Sequence, residues 1–449
     1  MKNRHPKGLV VLFFTEMWER FSFYGMRAIF VLYMTRETMG QNPGMGWDNT
    51  EALALYGWYT MLVYVMAIPG GIIADRLLGQ KKTVFLGGLL IIAGQFALAF
   101  NSHIAFYAGL VLLISGVGCL KPNISSMVGG LYREGDSRRD FGFTIFYIGI
   151  NIGAMTAPLI VGYIGNVYNW HLGFALAGFG MLLGQVVYIW GQKYLKDVGN
   201  LVPVNKIEGT NKHVSLTKIE KDRIVVLLIS FLIVIIFWAA YEQAGGLMNL
   251  YTEEKINRVV FGWEIPTAPF QFVPAFFVVV FGAPVAAYWH RRQRKGKETS
   301  ALFKMALGIM ITGSGFLMMS AAALQANTGM KAMLIFLILS YWLQVIGELS
   351  LSPVALSFIT KLAPAKYSSI MMGVYFAATG LGNKVAGLVG QIAQKAGELE
   401  VFTGIFIFCV LFGLLLLVFF RKLKKLAHGA EDIKEEPLVE GEAQAVIES

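Results

Sequence analysis

The sequence is short of charge: aspartate, glutamate, lysine and arginine make up only 15% of its 449 residues, against about 25% in soluble domains. So little charge cannot coat a water-facing surface, which excludes an ordinary soluble protein. Cysteine is scarcer still. Cys119 and Cys409 are the only two, both in apolar stretches, so neither a disulfide framework nor a metal-ligand spacing is available, and they read as lipid-facing or core-filling side chains. There are six histidines and none sits in mid-span beside a catalytic partner. With no Ser/His/Asp set and no phosphate-cradling Gly-Lys loop either, the chain does not read as an enzyme. The net charge of +10 invites nucleic acid as a partner, but the basic residues are not gathered into an arm or stripe; they sit between apolar runs.

What the chain has instead is apolar length. Runs of roughly 20 apolar residues recur along it, the length a helix needs to cross about 30 Å of hydrocarbon. Lys2, Arg4 and Lys7 before the first run resemble the start of a secretory signal. However, Glu16, Glu19 and Arg20 interrupt that run and no small-residue cleavage site follows, so it reads as a permanent span.

Apolar length set against charge breaks predicts an all-α membrane protein with spans near 8 to 35, 51 to 74, 82 to 101, 103 to 131, 140 to 165, 170 to 193, 223 to 250, 266 to 289, 301 to 324, 331 to 360, 367 to 394 and 401 to 421. Twelve spans put both termini on one side. The termini and the loops on their side hold 29 of the 38 lysines and arginines, so the positive-inside rule makes both termini cytoplasmic in a plasma (inner) membrane. The expected division is an N-terminal six-helix bundle over 1–193, a cytoplasmic linker over 194–222, a C-terminal six-helix bundle over 223–426 and a disordered acidic tail over 427–449. Six plus six is the layout of transporters whose halves rock around a site at the midplane.

An ionisable residue at the bilayer centre costs about 2.5 to 3.5 kcal/mol, so each asks for a partner or a purpose. Eight stand out: Glu16, Glu19, Arg20, Arg27, Lys121, Glu242, Glu348 and Lys384. Helical spacing puts Glu16, Glu19, Arg20, Tyr24 and Arg27 along one broad face of the first span. They form either an ion-pair ladder between helices or the wall of a polar cavity. The first half carries one excess positive charge and the second one excess negative charge, so a zwitterion lying between the halves would find a partner for each end. Lys121, about 15 Å from the end of its span, points inward rather than snorkelling. Glu242 is the candidate to exchange a salt bridge with Lys121 for a proton, with the Glu16, Glu19 and Arg20 cluster as a second proton site.

Gly71-x-x-x-Asp75-Arg76-x-x-Gly79-x-x-Lys82 after the second span resembles the cytoplasmic loop motif of the major facilitator superfamily. Its glycines allow a tight turn, and Asp75 and Arg76 can pair or cap helix ends when that side closes. Further matches are narrower. Glu16-x-x-Glu19-Arg20-Phe21-Ser22-Phe23-Tyr24-Gly25 is similar to the first-helix motif of the proton-dependent oligopeptide transporter family, and Phe146-Tyr147-x-x-Ile150-Asn151-x-Gly153 to its fifth-helix motif. Lys121-Pro122-Asn123, the run from Phe237-Trp238 to Glu242-Gln243-Ala244-Gly245, and Gly347-Glu348 match in place and order.

The resemblance implies a major facilitator fold and proton-coupled import of di- or tripeptides by alternating access, with no cofactor or metal and protons as the coupling ion. Acting as a monomer in the lipid bilayer, the chain would couple protons through Glu16, Glu19, Arg20 and Glu242. Arg27 and Lys121 would take the peptide carboxylate and Glu348 and Asn151 the amino group, while Tyr24 and Tyr64 would line the pocket. Two positions depart from the family: Phe23 replaces a tyrosine, and Val273 precedes Pro274 where asparagine is common. The 29-residue linker also has no room for the two extra helices of many bacterial members. A non-peptide anion or metabolite as cargo, or proton-driven export, is the alternative.

Overall fold

Hydrocarbon offers backbone N–H and C=O groups no partner but each other, so long apolar runs close into helices. The computed structural model describes residues 5–133, 136, 138–196, 198–201, 217–362 and 368–429. Most of the linker and the acidic tail from residue 430 lie outside the described residues, as do Lys2 and Arg4.

Among the described residues there are twelve helical segments: α1 Lys7–Thr35, α2 Asn49–Leu78, α3 Gln80–Leu98, α4 His103–Gly130, α5 Phe141–Val167, α6 Trp170–Tyr194, α7 Lys218–Lys255, α8 Ala268–Arg294, α9 Ala301–Ala326, α10 Leu334–Leu362, α11 Ser368–Ala396 and α12 Glu398–Leu426. Ten are long and apolar enough to cross a membrane; α1 and α11 carry their charges mid-length. Several ends run about five residues beyond the expected spans. α7 starts at Lys218, within the stretch read as linker, because Thr217 and Glu220 form a reciprocal capping box. α8 runs on to Arg294, where Arg291, Arg292 and Arg294 favour the negative end of the helix dipole.

Among the described residues three helices carry 3-10 turns, and α6 ends in one, Gln192–Tyr194. α7 is helical to Tyr241, tightens into a 3-10 turn over Glu242–Gly245, bends at Gly246 and resumes at Leu247. The adjacent Gly245 and Gly246 are poor helix formers, so the break falls where propensity is weakest. α8 opens with a 3-10 turn, Ala268–Gln271. In the connections away from residues 7 and 426, β1 Ile256–Asn257 pairs parallel with β4 Ala332–Met333, and β2 Val259–Val260 pairs antiparallel with β3 Trp263–Glu264.

The helices pack around two separate apolar cores. One, centred in α1 to α6 and joined by Leu250 of α7 and Ala268 of α8, is filled by Phe30, Tyr59, Trp170 and Phe174; the other, within α7 to α12, by Phe237, Phe316, Phe358 and Phe402. Cys119 and Cys409 are buried fillers and do not face lipid. The bundles meet along α2 with α11, α5 with α8 and α1 with α7. Polar contacts close that seam at the end away from the termini. Arg36 lies 3.5 Å from Glu253, Asn49 Nδ2 donates to Glu254 Oε1 (3.1 Å) and Gln394 Oε1 (3.2 Å), and Asn249 Nδ2 donates to the Ala28 carbonyl (3.1 Å).

Candidate functional site between the bundles

Because α1 is one unbroken helix, its polar residues keep the spacing read from the sequence. Arg20, buried among apolar helices, contacts both Glu16, at 3.0 Å, and Glu19. One cation thus faces two carboxylates, and Glu16 Oε2 and Glu19 Oε1 have no hydrogen-bond donor among the described residues. Phe23, replacing the expected tyrosine, lays its ring under the Arg20 guanidinium, 5.5 Å from the centroid.

One turn further along, Arg27 Nη2 lies 2.8 Å from Glu242 Oε2, an ion pair between the first bundle and the break in α7. Tyr56 completes it: Arg27 Nε donates to its hydroxyl (3.0 Å), which donates to the same Glu242 oxygen (3.1 Å). The contact requires Gly245, since a Cβ there would sit 2.1 Å from the Tyr56 hydroxyl and 2.6 Å from Arg27 Nε. The expected Glu242 and Lys121 pair is therefore replaced. The break in α7 aims Glu242 at α1 and α2, while Lys121 Nζ rests over the Tyr64 ring, 3.8 Å from its centroid.

Beside these groups is a cavity of about 140 Å³ between the bundles. It gathers Tyr24, Arg27, Tyr64, Asn151, Glu242 and Glu348 of the sequence-derived set, and Phe23 with them. Lys121, Glu16, Glu19 and Arg20 stand outside its lining, Lys121 just behind Tyr64. Glu348 shares a hydrogen bond with the Tyr241 hydroxyl, and its Oε2 has no partner among the described residues. Asn151 Nδ2 donates to the Tyr147 carbonyl (2.9 Å).

Several lining residues are not singled out by sequence. Tyr147, Trp238 and Tyr241 lie inside quoted motifs without a role, and Asn383 lies in an apolar run where an amide reads as packing. Gln271, in the turn that opens α8, donates to the Ala244 carbonyl (2.7 Å) and brings an amide to the wall where Val273 offers none.

One expectation is corrected. Lys384 is not in the cavity: it packs against Trp58 on the outer face of the α2 and α11 seam, 4.2 Å from the ring centroid. A helix face read from one sequence does not say which neighbour it meets. Asp75, Arg76 and Lys82 are exposed, and Asp75 and Arg76 form no ion pair or cap among the described residues; the motif's tight turn is real, with Gly79 at φ +78° and Gly71 in open space. Among the described residues no group of three or more His, Cys, Asp and Glu side chains gathers as a metal site.

Comparison with known proteins agrees with this geometry. The POT family model matches residues 81–204 and 200–405. The transporter YclF of Bacillus subtilis (strain 168), itself uncharacterized, is 38% identical over 95% of this chain and 96% of its own length. A di-/tripeptide transporter of Lactococcus lactis subsp. cremoris is 34% identical over 94% and 96%. The crystal structure of a peptide transporter POT in complex with sulfate superposes with a TM-score of 0.87 at 35% identity, covering 94% of this chain and 96% of that one. The two bundles of six are thus a major facilitator fold. Likeness over nearly the full length, together with the motifs that place the buried charges, means that the chain belongs to the POT family.

Proposed function

We propose that the chain is a proton-coupled symporter that imports di- or tripeptides by alternating access. The observation that carries this reading is a single cavity bordered by a guanidinium from one bundle, Arg27, and a carboxylate from the other with an unpartnered oxygen, Glu348. A zwitterion bridging them satisfies both ends with charge-assisted hydrogen bonds. The small cavity, well below the roughly 300 to 1,000 Å³ of drug-sized sites, suits a short peptide. The chain is a multi-pass membrane transporter and not an enzyme.

With Lys384 outside, the buried set is Arg20, Arg27 and Lys121 against Glu16, Glu19, Glu242 and Glu348, one negative charge in excess. One bound proton neutralises it. At Glu242 that proton weakens the pair with Arg27, loosening the seam and freeing the guanidinium for the peptide carboxylate. In this reading Glu16, Glu19, Arg20 and Glu242 handle protons. Tyr24, Arg27, Tyr64, Lys121, Asn151 and Glu348 hold the peptide, Lys121 reaching it past Tyr64. Gly71, Asp75, Arg76, Gly79 and Lys82 act at the gate on the termini side.

The same reading assigns no cofactor beyond the proton, a monomer, cytoplasmic termini in the inner membrane, and bundles 1–193 and 223–426 joined by the linker 194–222, with 427–449 as a tail. The two separate apolar cores support independent movement of the bundles. The experiment is uptake into proteoliposomes loaded at neutral pH. Acidifying the outside should drive a labelled dipeptide inward above equilibrium, and failure to accumulate under that gradient rejects the proposal.

A further inference from the structure

Lys384 is a charge without a carboxylate: no acidic group lies within 4.0 Å of it among the described residues. It stands on an outward face. Trp58 beneath it is 49% exposed, and Leu381 and Leu388, on the same side of α11, are 48% and 44% exposed, as fits contact with lipid tails. A lysine at hydrocarbon depth costs about 2.5 to 3.5 kcal/mol, and a cation over an aromatic ring returns about 0.5 to 2 of that, so the ring alone does not balance the ammonium.

Its direction is set by the two helices. Lys384 lies twelve residues from the end of α11 at Ala396, or roughly 18 Å; Trp58 lies nine residues from the start of α2 at the same end, or roughly 14 Å. The side chain that reaches Trp58 therefore leans toward the leaflet away from the termini. α11, at 29 residues or roughly 44 Å, overruns the roughly 30 Å of hydrocarbon by roughly 7 Å at each end, so the leaning ammonium, level with Trp58, stands roughly 7 Å inside the hydrocarbon edge of that leaflet, and a headgroup phosphate meets it by local thinning of the bilayer.

We propose that Lys384 and Trp58 form a binding site for an anionic phospholipid of that leaflet, the ammonium receiving the headgroup phosphate and the indole packing against the glycerol and upper chain. Trp58 belongs to one bundle and Lys384 to the other. They meet where α2 and α11 cross at Gly57 and Gly387, a contact so close that a Cβ on Gly387 would lie 2.7 Å from the Gly57 Cα. The site is whole only while this end of the seam is closed, so the lipid binds that form better and favours it.

The test uses the full chain and phosphatidylglycerol, with phosphatidylcholine as the uncharged-lipid control, and does not depend on the transport reading. Native mass spectrometry should find one tightly retained phosphatidylglycerol on the parent and on Lys384→Arg, with binding about tenfold weaker on Lys384→Met. Equal retention by all three, the same pattern with phosphatidylcholine, or a dimer lost in Lys384→Met without lipid loss would each overturn the proposal. Spin labels on exposed Met39 and Met333, one per bundle, give a second readout. Adding phosphatidylglycerol to phosphatidylcholine nanodiscs should shorten their distance in the parent and not in Lys384→Met. No change in the parent is a failure of the proposal.

Discussion

Arg27 and Glu242 join the two bundles through a 2.8 Å ion pair, and Tyr56 bonds to both members of it at 3.0 and 3.1 Å. Tyr56 and Glu242 are buried and the Arg27 side chain is 11% exposed, so the two charges have little water to fall back on. A hydrogen bond to a charged group contributes about 1.5 to 3 kcal/mol. Tyr56→Phe should therefore shift the balance from the form closed at this end toward the open one by about tenfold or more. The Met39 to Met333 label distance in the variant should lengthen; an unchanged distribution would mean that Tyr56 is only packing.

Gly245→Ala should act in the same direction by a different route. The added methyl would stand 2.1 Å from the Tyr56 hydroxyl, so either the tyrosine or the α7 break must move. Both substitutions disturb one contact, so the double variant should be hardly worse than the more severe single one. Additive effects in the label distance would show that Gly245 matters for the bend in α7 and not for the approach of Tyr56.

How much of this was written in the sequence depends on the residue. The spans and the polar face of α1 were legible because apolar length and helical spacing are local properties. The Glu16, Glu19 and Arg20 contact followed from spacing alone. The partner of Glu242 was not legible, because it depends on where α7 breaks and on which helix then faces the break. Tyr56 sits in an apolar run where a tyrosine reads as packing until a charged pair is found against its hydroxyl. Lys384 fails for the same reason in reverse: a charge inside a span implies a polar partner, and here the neighbour is the exposed ring of Trp58.

A pH effect is expected outside the membrane. In the connection between α8 and α9, burial alone would push Glu298 up, but the Lys424 ammonium at 2.9 Å and the Ser300 backbone N–H at 2.8 Å outweigh it and hold the carboxyl at about 2. A carboxyl depressed on folding stabilises the folded state above its unfolded value, near 4.3, and that contribution is lost as pH falls toward 2. Glu298 is 32% and Lys424 51% exposed, so the pair is screened and contributes about 1 kcal/mol or less. Glu298→Gln should lower the thermal midpoint slightly and equally at pH 6 and pH 8. A difference between those two pH values would contradict the assignment.

Removing the cation of the α1 cluster should be costly. Arg20→Gln leaves Glu16 and Glu19 buried in each other's field, and breaking a buried pair in this way costs about 3 to 5 kcal/mol. Adding Glu19→Gln removes one of the stranded charges and should recover much of the loss. Thermal unfolding in detergent checks both. A single variant as stable as the parent would mean that the cluster takes up a proton of its own without the arginine.

The last test concerns the two charges that the pairing scheme leaves over. Arg27 answers Glu242 and Arg20 answers the α1 carboxylates, so Lys121 and Glu348 remain, one on each bundle, without an ion pair among the described residues, Lys121 lying over Tyr64 and Glu348 bonded to Tyr241. Lys121→Ala or Glu348→Ala should abolish gradient-driven dipeptide accumulation while the protein still reaches the membrane, and full uptake by either would move the site elsewhere. The two should also differ in which end of the cargo they stop reading. An N-acetylated dipeptide lacks the ammonium that Glu348 meets, so it should compete poorly against a free dipeptide for the parent and for Lys121→Ala. In Glu348→Ala that disadvantage should shrink, because the unpartnered carboxylate that penalised the missing ammonium has gone. Competition for binding, measured by thermal shift, reads this even where transport is lost.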